Sequence, residues 1–210
     1  MPVRALIADD HTLVLEGFRA LLERKGFQVV GEAVDGVEAV RLAAELKPDV
    51  AVLDVSMPLL NGVDAGCEIQ RGRKDTHVVL LTMHASDHLM AAALRAGIRA
   101  YVLKSQAGDD LVLAIRAAMR NQIYLSPGIS KFAVDAYING ESAPADPLAR
   151  RERQVLQLVA EGKTSKEIAE VLGVSAKTVE SYRARVMAKL DIHDTAGLVR
   201  YAIRTGMVQA

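Results

Sequence analysis

Short aliphatic runs alternate with longer amphipathic stretches through the first half of the chain. The runs predict five strands, at residues 3–8, 28–33, 49–53, 78–82 and 100–103. Apolar residues at helical spacing predict helices between and after them, at residues 13–25, 36–46, 63–71, 87–95 and 109–120. Strands separated by helices of this length form right-handed βαβ units, so we expect an α/β domain whose parallel sheet is covered on both faces.

The second half of the chain carries only the helical pattern. Four helices are predicted, at residues 150–161, 165–172, 175–190 and 195–205. Thr164 and Glu167 have the spacing of a capping box, and Gly173 is suited to ending a helix. Ser175 and Asp194 are suited to beginning the helices that follow them. The tight turn from Gly173 to Ser175 joins two short helices as in helix-turn-helix DNA readers, so we expect an all-α domain of that type.

Proline and glycine collect between the two halves, at Pro127, Gly128, Gly140, Pro144 and Pro147. Such residues interrupt regular structure and are typical of linkers. The chain has 210 residues, which is more than one ordinary domain contains. The predicted organisation is a first domain at residues 1–125, a linker at 126–145 with room for a helix at 129–138, and a second domain at 146–210.

Polar side chains stand where four of the predicted strands end. They are Asp9 and Asp10 after the first strand, Asp54 after the third, Thr82 at the end of the fourth and Lys104 after the fifth. The carboxyl ends of parallel strands share one edge of a sheet, and three carboxylates gathered there repel one another unless a cation joins them. Oxygen ligands favour Mg²⁺. These residue types suggest Asp54 as a phosphoryl acceptor, with Lys104 and Thr82 binding the phosphoryl oxygens.

Two sets of residues carry a resemblance to known families. The order and spacing of the first set resemble a response-regulator receiver domain: Asp9, Asp10, Asp54, Pro58, Gly62, Thr82, Tyr101 and Lys104. The second set resembles the LuxR-type helix-turn-helix domain: Glu152, Gly162 and residues 166–169, 178–179 and 189–190. The whole chain is similar to the NarL/FixJ family of response regulators. This resemblance implies a flavodoxin-like (βα)5 receiver domain followed by a four-helix helix-turn-helix domain.

The resemblance also implies a function and roles for the site residues. The function is that of a DNA-binding transcriptional regulator, not an enzyme, which a sensor histidine kinase activates by phosphorylating Asp54 and which acts as a homodimer on double-stranded DNA. Asp10 would bind Mg²⁺ directly and Asp9 partly through water, while Asp54 and the backbone carbonyl of Ser56 would complete the protein ligands. Tyr101 would be the aromatic side chain that rotates inward on activation.

The third helix of the second half has two unlike faces. With Val179 at 0° and about 100° per residue, Tyr182, Val186 and Leu190 fall on the face expected to pack. The opposite face is small, polar and basic, which suits a helix in the major groove of DNA. The candidate DNA contacts, one of them on the preceding helix, are Lys166, Lys177, Thr178, Glu180, Ser181, Arg183, Ala184, Arg185 and Lys189.

Within this set, side chains near the start of the helix are expected to read base edges, and the cations further along to contact phosphates. Glu180 can accept a hydrogen bond from cytosine but is repelled by phosphates, which favours base readout. The alternative is that Glu180 only pairs with Arg183 or Arg185. The expected dimer surface is a shared face of the last helix, formed by Leu198, Tyr201, Ala202 and Thr205.

Charge and cysteine content agree with this division of labour. The formal net charge is zero, but residues 1–125 carry 14 basic against 16 acidic side chains, and residues 146–210 carry 11 against 8. The single cysteine, Cys67, excludes an internal disulfide and is better suited to packing than to chemistry. A signal-peptide pattern and a long apolar stretch are both lacking, so we expect a cytoplasmic protein without a membrane partner.

Two other classes of function compete with this interpretation. A phosphatase with a strand-end aspartate nucleophile needs a second aspartate two residues later, where this chain has Ser56. A receiver that serves only as a phosphate relay or protein-binding module would not recognise a specific duplex. Specific binding to double-stranded DNA therefore separates the favoured interpretation from the second alternative.

Overall fold

The structure is a computed structural model that describes residues 1–83, 93–94, 96–127 and 147–208. The chain divides into two compact units, Met1–Ala143 and Pro144–Ala210. Within the described ranges, no helix is long and apolar enough to cross a membrane. Two predicted helices, at 87–95 and 129–138, and most of the predicted linker lie outside these ranges; Ala93 and Leu94, which are described, are helical. The predicted domain boundaries stay a prediction.

A parallel sheet forms the centre of the first unit. Its strands are β1 (Arg4–Ala8), β2 (Gln28–Ala33), β3 (Val50–Asp54), β4 (His77–Thr82), β5 (Ala100–Leu103) and β6 (Tyr124–Leu125). They are ordered β2-β1-β3-β4-β5-β6, and all neighbouring pairs are parallel. The five predicted strands are confirmed, three of them with ends shifted by one residue. Strand β6 was not predicted because two residues are too few to show alternation.

Helices cover both faces of this sheet. The four described with it are α1 (Thr12–Arg24), α2 (Gly36–Leu46), α3 (Gly62–Gly72) and α4 (Ala107–Ala118), each at a predicted place. Successive strand residues point to opposite faces. Leu6 and Leu53 pack with α2 and α3 on one face, while Ile7 and Val52 pack with α1 and α4 on the other. Burial on both faces explains why the strands are almost continuously apolar.

The described part of the second unit is helical. Its helices are α5 (Arg150–Ala160), α6 (Ser165–Leu172), α7 (Ala176–Leu190) and α8 (Thr195–Arg204), which confirms the four predicted ones. Helix α7 packs against both α5 and α6, and α8 packs against α5. The buried side chains between them include Leu156, Ile168, Val179, Val186 and Leu198. The packing face predicted for α7 is therefore correct at Val179 and Val186.

The helix ends of this unit form at the predicted capping residues. Thr164 and Glu167 make a reciprocal box in which the Glu167 carboxylate accepts the Thr164 backbone N–H at 2.7 Å. Gly173 ends α6 with a φ of 64°, in the left-handed region that glycine tolerates. The Ser175 and Asp194 side chains accept backbone N–H groups at the starts of α7 and α8. Local polar groups therefore set the turn between α6 and α7.

One prediction about α8 is wrong. Leu198 and Ala202, expected on a dimer surface, are 1% and 0% exposed because this face of α8 packs against α5 within the same unit. The apolar stripe is the inner side of a helix that completes a small core. A dimer surface on α8 would have to use its outer side, where Arg200 and Ile203 are exposed.

Candidate functional site

The predicted strand-end residues meet at one edge of the sheet. Asp9 directly follows β1, Asp54 ends β3, Thr82 ends β4 and Lys104 directly follows β5. These four strands are neighbours in the sheet, so their ends lie side by side. Asp9, Asp54 and Thr82 are all buried. The structure thus brings the four residues together, as the order of the strands requires.

Lys104 joins the two buried carboxylates. Its Nζ lies 2.6 Å from Asp9 Oδ2 and 3.0 Å from Asp54 Oδ1. Burial raises the pKa of Asp54 to about 6; Lys104 opposes this rise, while Asp9 adds to it. Burial lowers the pKa of Lys104, but the two carboxylates outweigh it and the net shift is upward. At neutral pH the Asp54 carboxylate is therefore mostly ionised, beside a charged lysine.

The Asp54 carboxylate is only half satisfied. Its Oδ2 atom is buried and accepts no hydrogen bond from the described part of the chain. A buried carboxylate oxygen without a partner is costly, which indicates that something else completes this site. A third carboxylate, that of Asp10, is partly exposed and lies in a group with Asp9 and His11 whose potential ligand atoms are within 4.8 Å of one another. An acidic pocket of this kind fits a hard divalent cation.

His11 is the neighbour of the site that the sequence argument missed. Its Nδ1 lies 2.8 Å from Asp10 Oδ1 and 3.3 Å from Asp9 Oδ1, and its backbone N–H donates to Asp9 Oδ1 at 3.1 Å. The signal was its position directly after the two aspartates. The half-exposed His11 ring therefore lies beside the partly exposed carboxylate of Asp10.

The loop after Asp54 is held close to the acceptor strand by Gly62. A Cβ at this position would lie 2.0 Å from the Asp54 backbone carbonyl oxygen, so only glycine fits. The Gly62 N–H donates to the Val55 carbonyl at 2.9 Å, and Asn61 caps α3 by accepting the Asp64 N–H. Ser56, whose carbonyl is a predicted metal ligand, lies within this loop. The glycine therefore fixes the path of the segment that carries the predicted ligand.

Tyr101 lies in β5, two strands from Asp54 in the sheet. Its ring is buried, in the cluster that lies under α2 and α3. Burial raises the pKa of its phenol well above the ordinary value, and the charge of Asp54 adds to the rise. The ring thus occupies an inward position within the influence of the acceptor. Its predicted role as a switch stays a prediction.

Strand β6 attaches the end of the described first unit to β5. Tyr124 and Leu125 pair with Ala100 and Tyr101, and the Ser126 N–H donates to the Tyr101 carbonyl at 3.0 Å. The Ser126 hydroxyl accepts the Leu103 N–H at 3.3 Å and donates to Asp110 at 3.0 Å. Sequence reasoning assigned Ser126 to the linker. Its side chain is in fact hydrogen-bonded to Leu103, the residue that precedes Lys104.

The candidate DNA surface is on α7 and the start of α6. Its exposed members are Lys166, Lys177, Glu180, Ser181, Ala184, Arg185 and Lys189, and its half-buried members are Thr178 and Arg183. The Arg185 guanidinium lies 4.5 Å from the centre of the Tyr182 ring, and the Thr178 hydroxyl is 2.9 Å from that of Ser175. Lys166 near the start of α6 and Lys177 near the start of α7 are exposed and positively charged.

Three of these charged candidates have partners on other helices of the unit. The Ser165 hydroxyl donates to the Glu180 carboxylate, and the same hydroxyl accepts from the Arg183 guanidinium at 3.3 Å. Lys189 Nζ lies 2.6 Å from a Glu152 carboxylate oxygen. Glu180 thus bonds to the first residue of α6, which was not among the partners considered from the sequence.

Comparisons with known proteins decide what these two sites belong to. Residues 5–116 match the response regulator receiver domain, and residues 146–202 match bacterial regulatory proteins of the luxR family. The chain belongs to the NarL/FixJ family of response regulators. A receiver domain joined to a LuxR-type DNA-binding domain makes it a transcriptional response regulator, which confirms the predicted fold and class of function. Its relatives are regulators, not enzymes, as the sequence led us to expect.

Similarity to other response regulators extends over the whole chain. The response regulator UvrY of Escherichia coli strain K12 is 37% identical over 211 residues, covering 99% of this chain and 97% of the relative. The transcriptional regulatory protein LiaR of Bacillus subtilis strain 168 is 37% identical over 209 residues, covering 98% of this chain and 99% of the relative.

Solved structures of response regulators agree with this assignment. The RcsB response regulator of Salmonella typhimurium is 31% identical with a TM-score of 0.70, covering 97% of this chain and 98% of that one. A second structure is that of RcsB from Salmonella enterica serovar Typhimurium, bound to promoter rprA with the phosphomimetic BeF3⁻. It is 30% identical with a TM-score of 0.68, covering 96% of this chain and 98% of that one.

Proposed function

We propose that Asp54 accepts a phosphoryl group from a sensor histidine kinase and that this modification controls DNA binding. The observation that carries the proposal is the buried Asp54 carboxylate, which has Lys104 on one oxygen and a second oxygen that accepts no hydrogen bond from the described residues. A purely structural ion pair would gain nothing from leaving that oxygen buried and unpaired. An acceptor needs this arrangement, because one oxygen must remain free to form a bond to phosphorus.

The proposed reaction is a simple displacement. A carboxylate oxygen of Asp54 attacks phosphorus, the bond from phosphorus to the donor nitrogen breaks, and its electron pair remains with the histidine. Asp10, Asp9, Asp54 and the Ser56 carbonyl would hold Mg²⁺, which supplies positive charge to the phosphoryl oxygens. Lys104 is already beside Asp54 and would remain on the phosphoryl group. The product adds roughly −1.5 to −2 charge at neutral pH.

Thr82 and Tyr101 would detect the new group. Thr82 ends the strand next to Asp54, so its hydroxyl can donate to a phosphoryl oxygen. Tyr101 lies on the next strand with its ring buried, and its inward position would be favoured when Thr82 makes this new hydrogen bond. A ligand shifts such an equilibrium only as far as its contacts differ between the two states, and these two side chains supply the difference.

The response is proposed to be binding of a homodimer to double-stranded DNA in the cytoplasm. Lys166 and Lys177 are exposed cations near the start of the DNA surface, and Ser181 and Ala184 are exposed small residues on the same side of α7. Ser165 would orient the Glu180 carboxylate toward a base edge. The RcsB neighbour bound to a promoter with a phosphomimetic supports this use of the fold.

The experiment compares the full chain with its Asp54→Asn variant, with and without acetyl phosphate and Mg²⁺. Selected duplexes from randomised DNA should bind the phosphorylated wild type more tightly, whereas Asp54→Asn should take no label and show no gain. Asp75→Asn, an exposed aspartate before β4, is the matched control and should behave as wild type. Normal labelling of Asp54→Asn would refute the assignment, and a labelled protein that selects no duplex would favour the relay alternative.

A further inference from the structure

We infer that Arg183 and Lys189 are positioning residues that fasten the recognition helix α7 to its own domain, and that they are not contacts to DNA phosphates. This inference rests on the proposed binding of DNA through α7. It revises the expectation that Arg183 and Lys189, as cations further along the helix, contact phosphates. The two residues are about 9 Å apart along the helix axis, so they would hold α7 at two separate points.

Lys189 fastens the end of α7 to the beginning of α5. Its Nζ lies 2.6 Å from the Glu152 carboxylate oxygen that also accepts the Ala149 N–H at 2.8 Å. Ala149 begins α5 and has no side-chain acceptor, so Glu152 is the group that satisfies the start of that helix. Burial raises the pKa of Glu152, but Lys189 and the Ala149 N–H outweigh it and the net shift is downward. The pair is therefore charged at neutral pH.

Arg183 fastens the middle of α7 to two other helices. One guanidinium nitrogen donates to the Ser165 hydroxyl at 3.3 Å, at the start of α6, and the other donates to the Thr195 hydroxyl at 3.3 Å, at the start of α8. On the helical wheel Arg183 lies about 40° from the buried Val179, on the packing side of α7. A side chain that starts from this side and is bonded at both ends of its guanidinium is poorly placed to reach a phosphate.

The consequence for DNA binding concerns counterions. A cation that neutralises a phosphate releases a counterion, so its removal lowers the slope of log affinity against log salt by about 0.9. A cation that only positions the helix changes affinity without changing this slope. Arg185, which is exposed on the same helix and predicted to contact a phosphate, is the matched comparison.

The test uses the full chain, the duplex selected by the phosphorylated wild type, and four variants: Lys189→Gln, Arg183→Gln, Glu152→Gln and Arg185→Gln. We expect Lys189→Gln and Arg183→Gln to weaken binding by about tenfold, the loss expected for one hydrogen bond to a charged group, with an unchanged salt slope. Arg185→Gln should instead lower the slope by about 0.9.

Glu152→Gln provides the sharpest discrimination, because it leaves Lys189 charged and keeps an oxygen for the Ala149 N–H, but removes the negative charge that attracts Lys189 to that same oxygen. If Lys189 positions α7, this variant should bind DNA as weakly as Lys189→Gln. If Lys189 contacts a phosphate, freeing it should leave affinity unchanged or raise it, which would overturn the inference. A fall of about 0.9 in the salt slope of Lys189→Gln or Arg183→Gln would do so as well.

Amide hydrogen exchange without DNA keeps the inference separate from the proposed function. Exchange in residues 176–190 should be faster in Lys189→Gln, Arg183→Gln and Glu152→Gln than in wild type and Arg185→Gln, and Lys189→Arg should keep the slow rate of wild type. Unchanged exchange in these variants would overturn the inference. Wild type that binds no duplex would refute the proposed function while leaving the exchange experiment informative.

Discussion

The two halves of this response regulator treat their charged groups in opposite ways. In the receiver, Lys104 joins two buried carboxylates, and Asp54 Oδ2 accepts no hydrogen bond from the described residues. In the DNA-binding half, the buried Glu152 is paired with Lys189, and Glu180 and Arg183 also have partners within their own unit. We therefore call the receiver the incomplete half, because the proposed cation and phosphoryl group would fill its site, and the DNA-binding half the complete half, because these side chains are paired before DNA is present.

Removal of Mg²⁺ should have the largest effect, because it acts on the incomplete half. In EDTA, labelling of the wild-type chain by acetyl phosphate should be abolished, and it should return when Mg²⁺ is restored. The measurement is the phosphorylated fraction resolved by intact-protein mass spectrometry. Labelling that persists in EDTA would show that the acidic pocket needs no cation and would break the comparison.

The charge of Asp54 should destabilise the receiver when no metal is present. The pKa is about 6 in the folded chain against an ordinary 3.8, so the folded state holds this proton more tightly and stability falls as pH rises from about 4 to about 6. Asp54→Asn lacks this charge and should exceed wild type in stability at pH 7.5 by up to about 3 kcal/mol in EDTA. Urea unfolding of both proteins at pH 4.5 and 7.5 measures the difference in their free energies of unfolding. A difference that becomes smaller as pH rises would contradict the prediction.

Substitutions of Lys104 and Thr82 should separate Mg²⁺ binding from the gain in DNA binding that follows phosphorylation. Lys104→Ala and Thr82→Ala should keep Mg²⁺ affinity but lose most of the gain in DNA binding on phosphorylation, a coupling of about 1–3 kcal/mol. Titration calorimetry with Mg²⁺ and duplex binding measure the two properties. Lys25→Ala, which removes a surface pair with Asp109, is the control. A folded Thr82→Ala protein without Mg²⁺ affinity would contradict the proposed roles.

Substitution of Glu180 tests whether the DNA-binding half recognises individual bases. Glu180→Ala should relax preference at one base pair per half-site by roughly 1–3 kcal/mol, and Ser165→Ala should act at the same base pair more weakly. Binding-site selection measures both, with the exposed Glu170→Ala as the control. An unchanged site profile would mean that the Glu180 carboxylate only ties α7 to Ser165.

The helix caps should give the smallest effects, since they are local. Ser175→Ala should destabilise the DNA-binding half by about 1 kcal/mol because the Thr178 N–H loses its acceptor. Ala149→Thr should stabilise it by a similar amount, since Ala149 begins α5 without a side-chain acceptor. Thermal unfolding of the full chain measures both. Equal stability of wild type, Ser175→Ala and Ala149→Thr would show that water accepts these backbone N–H groups as well as a side chain does.

Much of the receiver could be predicted because its signals are strong and local. Buried strands alternating with helices predict a parallel sheet, whose carboxyl edge gathers Asp54, Thr82 and Lys104 without any knowledge of distances. Strand β6 could not be predicted, because a two-residue strand exists only through pairing with β5. His11 was missed because its contact depends on side-chain direction, not on spacing.

The second half was predicted well in its helices and less well in its side chains. The caps at Thr164, Ser175 and Asp194 act over three residues, so the sequence contains them completely. The partners of Arg183 and Lys189 lie on other helices, and charge by itself does not distinguish an internal partner from a phosphate. The wheel did contain one clue, since Arg183 lies on the side of Val179.

The hydrogen bonds of Ser126 determine where this protein can be cut and rejoined. A chimera that exchanged the DNA-binding half at residue 121 or 122 would remove β6 and leave the outer edge of β5, with Ala100 and Tyr101, unpaired. It would also remove the hydroxyl that accepts the Leu103 N–H. The natural junction for grafting another output module is therefore after Ser126, so that the short edge strand travels with the signalling module it closes.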